Sequence, residues 1–138
     1  MKSPELQASM IRNLVLLSCV GLRHVLVHVG GLEINSWLQH IGVEPQFRNG
    51  LRVIDTLTME VVVKVLVSKV NIKQLVSLIS LAGVTAVGLC GKDARPSPYA
   101  AVRGFVGEVT RIHLSVLHPI IASGHIPVKP TVAADETG

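Results

Sequence analysis

The stretch His24-Val-Leu-Val-His-Val29 runs directly into Gly30-Gly31 and then into Leu32-Glu-Ile-Asn35. Within the first part, Val25–Val29 has no helical period and reads as a short buried strand. From Gly31 to Ile41 the pattern becomes helical, with Ile34, Leu38 and Ile41 inward and Glu33, Gln39 and His40 outward. Gly42 stops it. A strand passing through paired glycines into a helix is a building unit of α/β sheets, and it restricts the fold more than any other feature. It also has chemistry. The N–H groups of a helix start face outward and carry partial positive charge, and glycines let an anion come close to them. Arg52 follows soon after, and a guanidinium can clamp a carboxylate with two parallel hydrogen bonds. The glycines alone read first as a tight strand-to-helix turn.

Elsewhere helices alternate with short Val-rich strands. Ser3 caps a helix with Pro4 at its first position, and Leu6, Met10, Leu14, Leu17 and Val20 recur on one stripe up to Gly21. Asn49-Gly50 predicts a hairpin with Gln46–Arg48 and Leu51–Ile54 as its arms. Asp55 or Thr56 caps a helix running from Leu57 towards Val70. Its run Val61-Val-Val63 invites a strand reading, but Glu60, Lys64 and Ser68 fall on one helical stripe, and Glu60 precedes Lys64 in the favourable order. Its other positions are aliphatic, which calls for burial on several sides and hints at a dimer. A helix over Leu75–Ala82, a strand over Val84–Leu89 and a loop over Gly91–Pro98 follow. Gly104–Ile112 alternates as a strand, Leu114–Ser123 is a short helix interrupted by Pro119, and Ile126–Val128 and Thr131–Ala134 are closing strands. The sum is an α/β sandwich with a mainly parallel central sheet.

Several functions are excluded. With 138 residues one domain is expected, and its core must be aliphatic, since hydrophobic content is 49% and aromatic content 3%. The net charge of +4 is scattered and the aromatics are too few to stack bases, so a nucleic-acid partner is disfavoured. No apolar run reaches membrane-spanning length, and Leu14–Leu22 is too short and polar in its middle. No transit peptide is visible. Cys19 and Cys90 read as reduced, buried thiols. His24 and His28 share a strand face without a cysteine or carboxylate to complete a metal set, so no metal ligands are expected. No nucleophile elbow, Walker loop or catalytic carboxylate pair occurs, and no catalytic residue is assigned.

The blocks Val27-His28-Val-Gly30-Gly31-x-x-x-Asn35, Phe47-Arg48-x-Gly50-Leu51-Arg52-Val53 and Thr58-Met59-Glu60-Val61 occur in this order. They are followed by Lys69-Val70-Asn71, Leu75–Ile79, Ala86–Leu89, Gly104–Val109, Ile126-Pro127-Val128 and Val132–Asp135. Together they resemble acetylglutamate kinase in its plant form, almost end to end. The resemblance implies a three-layer αβα sandwich of the amino-acid-kinase type. It implies phosphorylation of the side-chain carboxylate of N-acetyl-L-glutamate by ATP with Mg²⁺, in arginine biosynthesis. It implies that Gly30 and Gly31 bind the acetylglutamate and that Arg52 holds its carboxylate. Without the resemblance, Arg52 reads as a solvated surface arginine, and Asn35 and Glu33 as helix-surface or locally bonded groups.

The departures from that family shape the remaining expectations. The family's first strand carries a lysine that, with paired glycines, holds the transferring phosphate; this chain has no counterpart. Val29 stands where the family has a third glycine, Leu32 where it has proline and Ile54 where it usually has threonine. The loop between Gly91 and Gly104 looks shortened, which should trim a hairpin over the substrate. The second phosphate-binding lysine and the ATP-binding half also lack counterparts. Residues 1–138 are therefore read as a truncated, partial amino-acid-kinase domain, the acetylglutamate-binding half. Each lost donor to the transferring phosphate removes about 3–4 kcal/mol of transition-state stabilisation, so the chain alone should be inactive and bind no ATP or Mg²⁺. Its expected partners are N-acetyl-L-glutamate, bound weakly, and either a second copy or the intact kinase. The plant family also implies the nitrogen-signalling protein PII and a plastid location.

Overall fold

The computed structural model describes residues 3–67, 72–90, 99–103, 106–109 and 114–132. Five helices are described, in chain order: α1 (Pro4–Cys19), α2 (Gly31–His40), α3 (Thr56–Val67), α4 (Gln74–Leu81) and α5 (Leu117–Ala122). The strands are β1 (Leu26–His28), β2 (Phe47–Arg48), β3 (Leu51–Arg52), β4 (Ala86–Gly88), β5 (Tyr99–Arg103), β6 (Val106–Val109) and β7 (Ile126–Pro130).

The central sheet has the order β1-β7-β4, and both pairings are parallel. Leu26 lies opposite Val128, and Ala86 opposite Ile126. Two prolines in a middle strand look out of place, because proline donates no ladder hydrogen bond. The register resolves this. Ile126 N–H donates to Thr85 O and Leu89 N–H to Val128 O, so the even-numbered residues of β7 bond towards β4. Pro127 therefore faces the other way, towards chain that precedes Leu26. Pro130 faces β4 beyond its last residue, Gly88. Both missing donors fall at the ends of the ladders.

Two apolar clusters flank this sheet in an αβα sandwich. One gathers Ile11 of α1, Leu75 and Ile79 of α4, Ile72, Ala86, Ile126 and Val128, with Met10 and Leu14 against it. The other gathers Ile34 and Leu38 of α2, Val62, Val65 and Leu66 of α3, and Val132. The near-absence of aromatic rings is met by close aliphatic packing, and Leu38, Ile79 and Val128 are wholly buried. Gly88 shows how close. A Cβ there would sit 2.6 Å from Ile72 Cγ2 and 3.3 Å from Val76 Cγ2.

The local signals act as the sequence reading anticipates. Ser3 Oγ accepts from Leu6 N–H at 3.5 Å, with Pro4 in the first turn. Asn49 (φ 52°) and Gly50 (φ 77°) are both left-handed, as a two-residue hairpin turn requires, and β2 pairs with β3 across them. Asp55 Oδ1 accepts from Thr58 N–H at 2.8 Å and caps α3. Glu60 and Lys64 pair at 3.1 Å on the exposed side of that helix, while Ser68 lies outside the described residues.

Five expectations are corrected. Only the middle of α1 packs inward, through Met10, Ile11 and Leu14; Leu6, Leu17 and Val20 are exposed because the helix meets α4 over part of its length. Ile41 is exposed as well, since α2 ends at His40. Cys19 is exposed at the last turn of α1 and Cys90 is half-buried. The strand over Val25–Val29 is nowhere fully buried: Leu26 and His28 are half-buried, and Val25, Val27 and Val29 are exposed, because β1 lies at the edge of the described sheet and nothing described covers their face. Thr131 and Val132 follow β7 as a bend and irregular chain rather than a strand, and Ala133 and Ala134 lie outside the described residues. The structure also adds a strand. Tyr99–Arg103 pairs antiparallel with Val106–Val109, with an irregularity between Ala101 and Arg103. Its alanines gave little strand signal. The loop read over Gly91–Pro98 lies outside the described residues.

Two predictions follow from the packing and the caps. Gly88→Ala should destabilise the fold by about 1–3 kcal/mol, because the methyl group must displace Ile72; chemical denaturation measures this. Asp55 titrates below its ordinary value, owing to hydrogen bonds from the Thr58 side chain and then from the Thr58 N–H. A depressed folded-state pKa gives stabilisation that is whole above the unfolded carboxyl's pKa and fades as pH falls through the folded one. Asp55→Ala should therefore melt below the parent at neutral pH, and the gap should close on acidification.

Candidate functional site

In open α/β sheets, ligands bind beyond the carboxyl ends of the strands. The carboxyl end of β1 is His28, and two residues later Gly30 caps α2. Gly30 is buried, with φ −110° and ψ 35°, and it makes no side-chain capping bond. Its carbonyl accepts from Ile34 N–H at 2.9 Å, which closes the first turn. With no capping oxygen available from Gly30, the N–H groups at the start of α2 remain open to an outside acceptor.

Gly31 opens α2. Its backbone is not left-handed, and a Cβ built on it would meet no heavy atom within 4 Å. Neither conformation nor packing within the chain therefore requires glycine there. Val29, just before the pair, is 69% exposed.

Arg52 comes from β3, whose place is set by the Asn49-Gly50 turn. Its cross-strand partner is Phe47, and the guanidinium carbon lies 5.1 Å from the centroid of that ring. Nη2 donates to Oδ1 of Asn35, 17 positions away in sequence. Nη1 is buried and has no hydrogen-bond partner. Burial holds the Arg52 pKa below its ordinary value. Asn35 sits four positions after Gly31, on the same side of α2 and about 6 Å further along its axis. The structure thus brings Arg52 to the helix that Gly30 and Gly31 begin.

Arg52 is consequently not the freely solvated arginine that its residue type alone suggests, and Asn35 is not confined to local bonds. Asn35 is the residue that sequence reasoning passed over. The available signal was its spacing from Gly31, which aligns it with the helix start. Among the described residues, no group of three or more His, Cys, Asp or Glu side chains is placed to hold a metal ion. His24, before β1, has both ring nitrogens buried without a partner. No described helix is long and apolar enough to cross a membrane.

A parallel sheet with a glycine-started helix beyond its carboxyl edge is a frame in which a small ligand can be held at a helix start. The chain belongs to the amino acid kinase family, whose model matches residues 1–138. Among its relatives are acetylglutamate kinases. It is 54% identical to the one from Nostoc punctiforme, over all of this chain and 47% of that protein. It is 56% identical to the chloroplastic one from Arabidopsis thaliana, over all of this chain and 41% of that protein. The chain thus spans under half the length of these two curated relatives. A solved Streptococcus mutans protein superposes on the whole chain with a TM-score of 0.84 at 27% identity, over 56% of that protein. The N-acetylglutamate synthase of Neisseria gonorrhoeae, solved with coenzyme A and L-arginine, shares the fold alone. It superposes with a TM-score of 0.73 at 17% identity, over 99% of this chain and 34% of that one.

Because open space surrounds the missing Cβ, Gly31→Ala should leave the melting temperature unchanged or raise it slightly, alanine being the better helix former. A clear fall, followed by circular dichroism, would show that the fold itself needs this glycine.

Proposed function

We propose that this chain is the acceptor-binding part of an acetylglutamate kinase, taking N-acetyl-L-glutamate by a carboxylate at Gly30, Gly31 and Arg52. The reading is supported most by one observation: a guanidinium tethered to α2 by Asn35, with Nη1 buried and unpartnered. An unpaired buried donor costs stability unless a ligand completes it. A carboxylate fits, because it is planar, accepts two parallel bonds and neutralises the charge. The N–H groups opening α2 would hold its second end or its acetyl oxygen, and the glycine at 31 gives the ligand room to approach.

Phosphoryl transfer to a carboxylate depends on positioning and on neutralising charge at the transferring group. In this proposal the 138 residues orient the acceptor and do not transfer phosphate by themselves. The relatives extend over at least twice the length matched, which is consistent with ATP and Mg²⁺ being held by other segments. A plastid location belongs to the same proposal and is supported by the chloroplastic Arabidopsis relative.

Calorimetry with N-acetyl-L-glutamate should show binding that Arg52→Ala weakens by about ten- to a hundredfold, the range for a hydrogen-bonded charge. A coupled ATP assay on the same sample should show no turnover. Equal binding by Arg52→Ala would remove the carboxylate site, and turnover would remove the division of labour.

A further inference from the structure

The surroundings of Arg52 have an unusual electrical character. A guanidinium drawn partly out of solvent is ordinarily matched by a carboxylate, because desolvating an unmatched charge is costly. Here its hydrogen-bond acceptor is the neutral amide oxygen of Asn35, and its central carbon lies over the neutral ring of Phe47. Among the described residues, no carboxylate is within ion-pair distance of it. The buried Nη1 is left without a partner. Each terminal nitrogen of a guanidinium carries two hydrogens, so giving one to Asn35 leaves the other hydrogen of Nη2 and both of Nη1 unspent.

We propose that Asn35 is a positioning residue for the carboxylate site: it fixes the plane and direction of the Arg52 guanidinium without cancelling its charge. This rests on the reading of Gly30, Gly31 and Arg52 as that site. An amide is suited to the task for two separable reasons. Its oxygen accepts from Nη2 and stops the long side chain from swinging away. Its neutrality leaves the whole positive charge, and the free edge of the fork, for an incoming acid. Aspartate would keep the first property and lose the second. Alanine would keep the second and lose the first. Helix α2 links the parts, because Asn35 lies one turn beyond Gly31 and so sets the guanidinium relative to the open N–H groups.

The test compares the parent chain with Asn35→Ala and Asn35→Asp by two independent readouts. The first is calorimetry with N-acetyl-L-glutamate. The second is ¹⁵N NMR of the Arg52 guanidinium, where a tethered group gives slowed, resolved Nη signals without any ligand. Asn35→Asp should retain those signals, yet bind at least about thirtyfold more weakly, because the clamp is already neutralised. Asn35→Ala should lose the slowed signals and bind about tenfold more weakly, the scale of one lost hydrogen bond. A residue serving stability alone would give Asn35→Asp normal affinity, and that result overturns the proposal. Unchanged Nη signals in Asn35→Ala overturn it as well. If the parent itself shows no heat with N-acetyl-L-glutamate, the substrate reading has failed, and the positioning role then stands or falls on the Nη signals alone.

Discussion

The pairing of β7 with both β1 and β4 is the constraint on which the remaining structure depends. Among the described strands it is the one in the central sheet with neighbours on both sides, and it joins segments that are distant in sequence. Its buried side chains, Ile126 and Val128, are where α1 and α4 find their common apolar surface. Its hold on Leu26–His28 fixes where β1 ends, and therefore where Gly30 caps α2. The glycine-capped start of α2 is thus placed by a ladder formed a long way downstream. The prolines of β7 are compatible with this because the register puts each missing donor past the end of a neighbouring strand.

The other half of the candidate site is assembled by different means. Arg52 owes its position to a two-residue turn, a cross-strand aromatic partner and one tertiary hydrogen bond. None of these involves the central sheet. The site combines a helix start, set by long-range strand pairing, with a side chain set by a local hairpin. The Asn35–Arg52 bond is where the two meet. Under the proposed function, such a joint would decide how firmly a bound carboxylate is oriented.

Much of this was legible in the sequence, for identifiable reasons. Ser3-Pro4, Asn49-Gly50 and Asp55 are local devices whose geometry is dictated within four residues, and each acts as read. The Glu60–Lys64 spacing overruled the strand-like Val61-Val-Val63 correctly. The parallel sheet could be inferred from Val-rich runs between helices. What was hidden depends on neighbours. The same helical stripe of α1 contains half-buried Leu14, packed on the core, and exposed Leu17, and only the area of contact with α4 distinguishes them. Val27 looks like a core residue and is exposed because its strand is at an edge. Asn35 carries no mark of its long-range bond, since an asparagine on a helix reads the same with or without an arginine above it.

The order in which the strands occur along the chain has a consequence for synthesis. A ribosome releases β1 first, and the strand that will bind it is about a hundred residues later. At ordinary elongation speeds that interval is about 5–20 s. Throughout it, Leu26 and Val27 of β1 are without β7, their partner among the described strands, and an unpaired strand edge invites attachment to other nascent chains. The arrangement that finally encloses β7 therefore makes the newborn polypeptide dependent on whatever shields that early segment in the meantime.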